Sequence, residues 1–266
     1  MAAPRDDLDE QIRRNESTRG SFDDFASHRL HVMRLLLRAA AEFRDPPRLI
    51  LLGAGNCNDV DLRDLLVAYD HILLVDWDAD ALSAGVARQL ATAEPRITAH
   101  APVDLSEGNW SPPTSFRPTV VASLCLLSQL VDAAAQAAAD RPDDRAKAIE
   151  AARRNHLQHL VELLPPGGVG VLVFDFLSSL TAPEVASADE KRLPALAAEL
   201  LQKGNFFQGL HPGGLHRLLA ADAWFAGRIR CHIPTSPWNW KLGNRVYAVS
   251  ALVMRRTTAA TGPLEA

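Results

Sequence analysis

Cysteine is scarce in this 266-residue chain: Cys57, Cys125 and Cys231 are odd in number and lack the spacing of a disulfide framework or a metal site. A reducing compartment is therefore expected. There is no dense cluster of histidine, cysteine and aspartate, so no metal is expected. Lysine is almost missing, with 4 against 24 arginines, which together with abundant alanine reads as the coding bias of a GC-rich bacterium. The net charge of −4 excludes a general attraction for nucleic acid or an anionic membrane. No apolar stretch approaches the roughly 18 residues needed to span a bilayer, and the opening Met1-Ala2-Ala3-Pro4-Arg5 has no apolar run of a signal peptide. These absences point to a cytoplasmic protein with neither nucleic acid nor membrane as partner. No repeat is visible. The composition, 47% hydrophobic and 23% charged, is that of an ordinary globular domain with ample core.

What is present is concentrated in Leu49-Ile50-Leu51-Leu52-Gly53-Ala54-Gly55-Asn56-Cys57-Asn58-Asp59. An unbroken apolar run predicts a parallel strand buried on both faces. The two glycines predict a sharp turn whose backbone can approach a ligand, and a helix is expected to begin near Asp59. A second apolar strand, His71–Val75, ends in Asp76, 23 residues after Gly53. An acid at that separation is placed to accept hydrogen bonds from ribose hydroxyls. It is expected to make few packing contacts, so that replacing it weakens cofactor binding with little effect on folding. A dinucleotide fingerprint would carry glycine where this chain has Asn58, and an aspartate at the helix start would compete with a pyrophosphate for the same amides. A cofactor with ribose and adenine but no phosphate escapes that conflict, and S-adenosylmethionine fits. An NAD(P)-linked oxidoreductase and a binding or scaffold module without catalysis are the alternative readings.

Further along, a short strand near Arg96–His100 precedes Val103-Asp104-Leu105. A fourth apolar strand spans Thr119–Cys125, and an alanine-rich helix follows Leu127-Ser128-Gln129-Leu130. Leu163-Leu164-Pro165-Pro166-Gly167-Gly168 then stops a helix and feeds a fifth strand ending at Asp175. In the order and spacing of these motifs, from roughly Arg48 to Arg256, the chain resembles the class I S-adenosylmethionine-dependent methyltransferases. That resemblance implies a three-layer Rossmann-like α/β fold, with a mostly parallel seven-stranded sheet, an antiparallel last strand and helices on both faces. It implies that Gly53, Ala54 and Gly55 lie under the methionine part of the cofactor, with Asn56 as a further contact. Asp76 would hold the ribose, Trp77 would pack on adenine, and Asp104 beside Leu105 would take the adenine amino group. Ser123 and Leu124 would face the methionine moiety. The chain departs from the family in having Leu51 where an acid is common and Cys57 in place of the third glycine. It also lacks the Asn/Asp-Pro-Pro-aromatic run of adenine and glutamine methylation and the Asp-Asn pair of the magnesium-dependent catechol type.

Three regions are expected: a polar arm and helix over 1–47, a methyltransferase domain over 48–256 with a helical insertion near 177–210, and a tail over 257–266. Residues 1–20 are rich in charge and expected to be partly disordered. A helix capped by Ser21 should carry Phe25, His28 or Arg29, Val32, Leu35, Leu36 and Ala39 at helical spacing. Within the insertion, Ala182–Gln202 reads as helix and Gly204–Gly209 as loop. Pro234–Lys241 reads as the loop joining the last two strands. Phe206, Phe207, Trp238 and Trp240 suggest an aromatic wall, and the two loops that bear them a lid over the acceptor. No obligatory catalytic residue can be read off. Asp175, at the ligand-binding edge of the sheet, and His211, in a loop, are the best-placed candidates for a base, ahead of His28, His156, His159 and His232. Arg13, Arg14 and Arg19 are candidates for the cofactor carboxylate.

Overall fold

The computed structural model describes residues 5–258; the first four residues of the expected arm and 259–266 of the expected tail lie outside the described residues. The elements run α1 (Arg5–Thr18), α2 (Ala26–Ala40), β1 (Arg48–Leu52), α3 (Leu62–Ala68), β2 (His71–Val75), α4 (Ala79–Gln89), β3 (Ile97–His100), β4 (Val120–Leu124), α5 (Leu126–Ala137), α6 (Pro142–Glu162) and β5 (Val169–Ser178). After a 3₁₀ turn (Pro183–Ser187) come α7 (Leu193–Gln202), α8 (Pro212–Ala221), α9 (Ala223–Ala226), β6 (Ile229–Cys231), β7 (Trp238–Leu242) and β8 (Arg245–Arg256). The strands form one sheet in the order β3-β2-β1-β4-β5-β8-β6, with β7 also paired to β8. The first five strands are parallel, and β8 is antiparallel to β5, β6 and β7.

Burial on both faces explains the apolar runs. Ile50 and Leu52 of β1 pack under α5 to α8, whereas Leu49 and Leu51 pack with α2, α3 and α4 on the opposite face. Successive strand residues point to opposite sides, so a strand covered twice is buried at every position and its few polar side chains need partners within the fold. Among the described residues, no helix is long and apolar enough to cross a membrane.

Several boundaries differ from expectation. Arg5–Thr18 is helical, because tertiary contacts described below hold it. α2 starts at Ala26 with Phe25 as its N-cap and no side-chain cap, so Ser21 does not cap it; Phe25 is buried. α3 begins at Leu62, not near Asp59: Asp61 caps it, accepting from the amides of Arg63 (3.0 Å) and Asp64 (3.1 Å). The insertion breaks between the 3₁₀ turn and α7 because Asp189 accepts from the amides of Lys191 and Arg192 instead of letting the helix continue. The expected 234–241 loop contains β7, which makes an eighth strand. Trp238 and Trp240 alternate with Asn239, and a two-residue Gly243-Asn244 turn closes the hairpin with Gly243 at φ 60°. Half of the proposed lid is therefore already hydrogen-bonded sheet.

The long turn between Gly53 and Asp61 is held from beneath by α4. Gln89 donates to the carbonyls of Cys57 (2.7 Å) and Val60 (3.2 Å) and accepts from the amide of Leu62 (2.8 Å). A Cβ on Gly85 would sit 2.4 Å from the carbonyl oxygen of Asn56, a backbone atom with nowhere to move. Gly85→Ala is therefore expected to cost about 1–3 kcal/mol or more by overpacking, read as a lower urea midpoint. An unchanged midpoint would show that α4 and the turn can separate freely.

Candidate functional site

β1 connects onward to β2 on one side and β4 to β5 on the other, and at such a switch point a crevice opens beyond the carboxyl ends of the strands. Two adjoining cavities, of about 120 and 760 Å³, occupy it and share Gly53, Asp76, Leu126, Gln129, Arg14 and Asp132 among their lining residues. Gly53, Gly55 and Cys57 all adopt left-handed backbone, at φ 76°, 43° and 53°. Cys57 thus keeps the conformation for which a third glycine would be better suited. Its buried thiol is pushed up to about 12 and stays neutral.

Asp76 is buried, with Oδ2 accepting from the Gly55 amide (2.7 Å) and Oδ1 from the Asp78 amide (2.9 Å). Burial raises its pKa, and the backbone donors of Asp78 and Gly55 oppose that rise. The carboxylate therefore holds the glycine turn together as well as facing the cavity, contrary to the expectation that it matters little for folding. Trp77, Asp104 and Leu105 line the smaller cavity, and Asp104 Oδ1 accepts from the Ser106 amide at 2.8 Å. Ala54, Gly55, Asn56 and Leu124 line the larger one.

Ser123 lines neither cavity. It is fully buried, with its hydroxyl 2.8 Å from His156 Nε2 in α6. Strand alternation sends its side chain to the face opposite that of Leu124. Burial pushes His156 down to about 3, so it is a neutral partner of Ser123. His159 donates to the carbonyl of Trp110 (2.6 Å), and His211 Nδ1 accepts from the Gly214 amide to cap α8. Neither lines the cavities.

Asp175 does line the larger cavity. The β5–β8 register slips between Asp175 and Leu177, a bulge of the kind that re-aims side chains. Ser128, in the first turn of α5, donates to Asp175 Oδ1 at 2.5 Å. Burial pushes Asp175 up to about 6, against the opposing effect of the Ser128 hydrogen bond. Of the expected aromatic wall, Phe207 and Trp240 line the cavity, joined by Tyr247. Phe206 instead sets its edge against His211, and Trp238 is buried, donating to His28 Nδ1 at 3.0 Å. An indole nitrogen can only donate, so neutral His28 carries its proton on Nε2, 3.0 Å from Asp59 Oδ1 though poorly angled for a hydrogen bond.

Sequence reasoning offered arginines from residues 1–20 but missed that this segment is a helix, α1, bonded to the glycine turn. Buried Asn15 donates to Asp78 Oδ2 (3.1 Å), and its carbonyl accepts from Asn56 Nδ2 (2.6 Å). Asn58 Nδ2 reaches the Thr18 carbonyl (2.8 Å), and Arg88 ties the carbonyls of Arg19 (2.8 Å) and Asn56 (2.6 Å) together. Two asparagines in one turn signal amides in need of partners, but nothing local says that α1 supplies them. Of the three candidate arginines, Arg14 lines both cavities and pairs with Asp132 at 3.5 Å, whereas Arg13 and Arg19 line neither. Asn56 Oδ1 stays buried without a partner.

No family model matches the chain, and no curated protein matches its sequence. Its fold does match solved structures. N-methyltransferase NodS from Bradyrhizobium japonicum WM9 aligns at 12% identity over 90% of this chain and 98% of that one, with TM-score 0.50. Magnesium protoporphyrin IX methyltransferase from Synechocystis PCC 6803, solved with bound S-adenosylhomocysteine, aligns at 11% identity over 87% and 84%, with TM-score 0.52. The architecture is thus the Rossmann-like methyltransferase fold.

Proposed function

We propose that this chain is an S-adenosylmethionine-dependent methyltransferase acting on a small molecule. The observation that carries this reading is the continuous cleft that begins at a glycine turn clasped by Asp76 and ends at Asp175, a buried carboxylate poised to ionise near pH 6. The residues present suit the cofactor. Asp76 offers carboxylate lone pairs to ribose hydroxyls, Trp77 and Leu105 offer apolar surface to adenine, and Asp104 has an oxygen for the adenine amino group. Asn56 Oδ1, buried and unpartnered in the cavity lining, suits an ammonium group. A pyrophosphate is served badly, because the first amides of α3 are already taken by Asp61. That disfavours the nicotinamide reading.

The cofactor supplies an electrophilic methyl group on a sulfonium, and the protein supplies position and a base. Asp175, ionised at neutral pH, accepts the proton that the acceptor loses, while Ser128 fixes the orientation of its carboxyl group. Phe207, Trp240 and Tyr247 give the acceptor an apolar wall and keep water from it.

Calorimetric titration with S-adenosylhomocysteine is expected to show saturable binding in the micromolar range. Refusal of the ligand at millimolar concentration would leave a methyltransferase-like scaffold as the better description.

A further inference from the structure

The charges that line the larger cavity are sorted by depth. Asp59, Asp76, Asp132 and Asp175 stand against Arg14, Arg145 and Arg245. All three arginines are exposed, and Arg14 pairs with Asp132, which is exposed too. The other aspartates lie deeper: Asp76 and Asp175 are buried, and the Asp59 side chain is only 17% exposed. Asp76 belongs to the cofactor end, which leaves Asp59 and Asp175 for the acceptor. Both flank Cys125: burial raises the pKa of its thiol, and the charges of Asp175 and Asp59 add to that rise. His28, beside Asp59, does not neutralise it, because Nδ1 accepts from Trp238 and a second proton there would break that bond.

Hydrogen-bonding capacity is unbalanced in the same direction. Among the described lining residues, the buried oxygens Asn56 Oδ1, Asp59 Oδ1 and Gln129 Oε1 lack a hydrogen-bond donor, against one donor without an acceptor, Trp240 Nε1. Asn56 is accounted for by the ammonium group of the cofactor. The Gln129 amide is oriented by its nitrogen, which donates to the Cys125 carbonyl at 3.1 Å, so its oxygen is the free end. Ser128, the partner of Asp175, donates to the same carbonyl at 3.2 Å. Buried acceptors left open are costly unless a ligand brings N–H or O–H groups to them. A continuous aromatic wall stands alongside. Trp240 stacks on His28 at 4.9 Å and lies 5.4 Å from Tyr247, which meets Phe207 at 6.3 Å. Aromatic faces attract cations.

On the reading that the cofactor fills the Gly53–Asp76 end of this cleft, we infer that the acceptor is an amine. Its ammonium group binds between Asp59 and Asp175, with Gln129 Oε1 as a further acceptor, and its apolar body lies against Trp240, Tyr247 and Phe207. Asp175 takes one proton from the ammonium group. The freed nitrogen lone pair forms the N–C bond to the methyl group as the C–S bond breaks, and the electron pair of that bond stays on sulfur. An anionic acceptor would meet two inward carboxylates with like charge, and a neutral one would leave the charge of Asp59 unpaired.

The test uses three probes that share one phenyl ring and differ in the charge of the tail: 2-phenylethylamine, 2-phenylethanol and 3-phenylpropanoate. Each is titrated at neutral pH into the protein saturated with S-adenosylhomocysteine. The amine is expected to bind at least about tenfold more tightly than the alcohol, the worth of one charge-assisted hydrogen bond, and the acid most weakly. Asp59→Asn removes the charge without removing a hydrogen bond made within the protein. It should bring amine and alcohol to within about threefold of each other while retaining the parent's melting temperature and affinity for S-adenosylhomocysteine. Equal binding of the three, a preference for the acid or the alcohol, or binding of none to the saturated protein overturns the inference and leaves the cofactor reading intact. An Asp59→Asn protein that keeps the full preference for the amine overturns it as well. So does one that loses melting temperature or S-adenosylhomocysteine affinity along with the preference, because Asp59 is then structural. If S-adenosylhomocysteine itself does not bind the parent protein, the cofactor reading has failed and takes this inference with it.

Discussion

Asp175→Asn is expected to abolish most methyl transfer while making the protein more stable above pH 6. Removing a positioned general base typically lowers the rate by about 10² to 10⁴, and asparagine retains the shape and an acceptor for Ser128, so S-adenosylhomocysteine should bind as before. The stability effect follows from burial, which raises the folded pKa from the ordinary 3.8 to about 6. Between those values the native state binds more protons than the unfolded chain, so the parent loses stability as pH rises through that window. The loss amounts to about 3 kcal/mol above pH 6, and the asparagine variant does not suffer it. Activity of the parent should fall as pH drops below about 6, where Asp175 becomes protonated. Melting curves across pH 4 to 8 and a pH–rate profile check both halves. A variant as active as the parent would remove Asp175 from the chemistry, and one less stable at pH 8 would show that its charge is better solvated than its burial implies.

Asp76→Ala should damage binding and folding together. Two charge-assisted hydrogen bonds to the cofactor ribose, each worth about 1.5–3 kcal/mol, would be lost. After water fills the gap, affinity for S-adenosylhomocysteine should still fall at least about tenfold, or 1.4 kcal/mol. The amides of Gly55 and Asp78 also lose their acceptor, at about 1–3 kcal/mol each. Relief from burying a carboxylate offsets part of this, since burial is the leading influence on Asp76. A net loss of about 2–3 kcal/mol would lower the melting temperature by roughly 4–12 °C in a domain of this size. Differential scanning calorimetry and ligand titration on the same sample separate the two effects. A variant that melts normally and binds as tightly as the parent would remove Asp76 from both roles.

The sheet and the glycine turn were legible in the sequence because both obey local rules. Strands covered on two faces are near-continuous apolar runs, so Leu49–Leu52, Ile72–Val75 and Val169–Phe174 announce themselves. Left-handed backbone at Gly53 and Gly55 calls for residues without a Cβ. The β7 hairpin was read as loop because of its proline-rich approach, although the Trp238-Asn239-Trp240 alternation and the Gly243-Asn244 turn carry its signal. Other features depended on partners that the local sequence does not name. α1 is polar and gains its place from Asn56, Asn58 and Arg88, which lie some 40 to 70 residues further on. The side of the sheet that Ser123 faces was decided by its register beside Leu52 and Leu172. The tautomer of His28 was decided by Trp238, 210 residues away. Asp175 owes its raised pKa to the depth at which β5 is buried, and the same aspartate in an exposed strand would stay ionised well below pH 6. Backbone conformation answers to neighbours in the chain, whereas desolvation and hydrogen-bond partnership answer to neighbours in space, and only folding selects those.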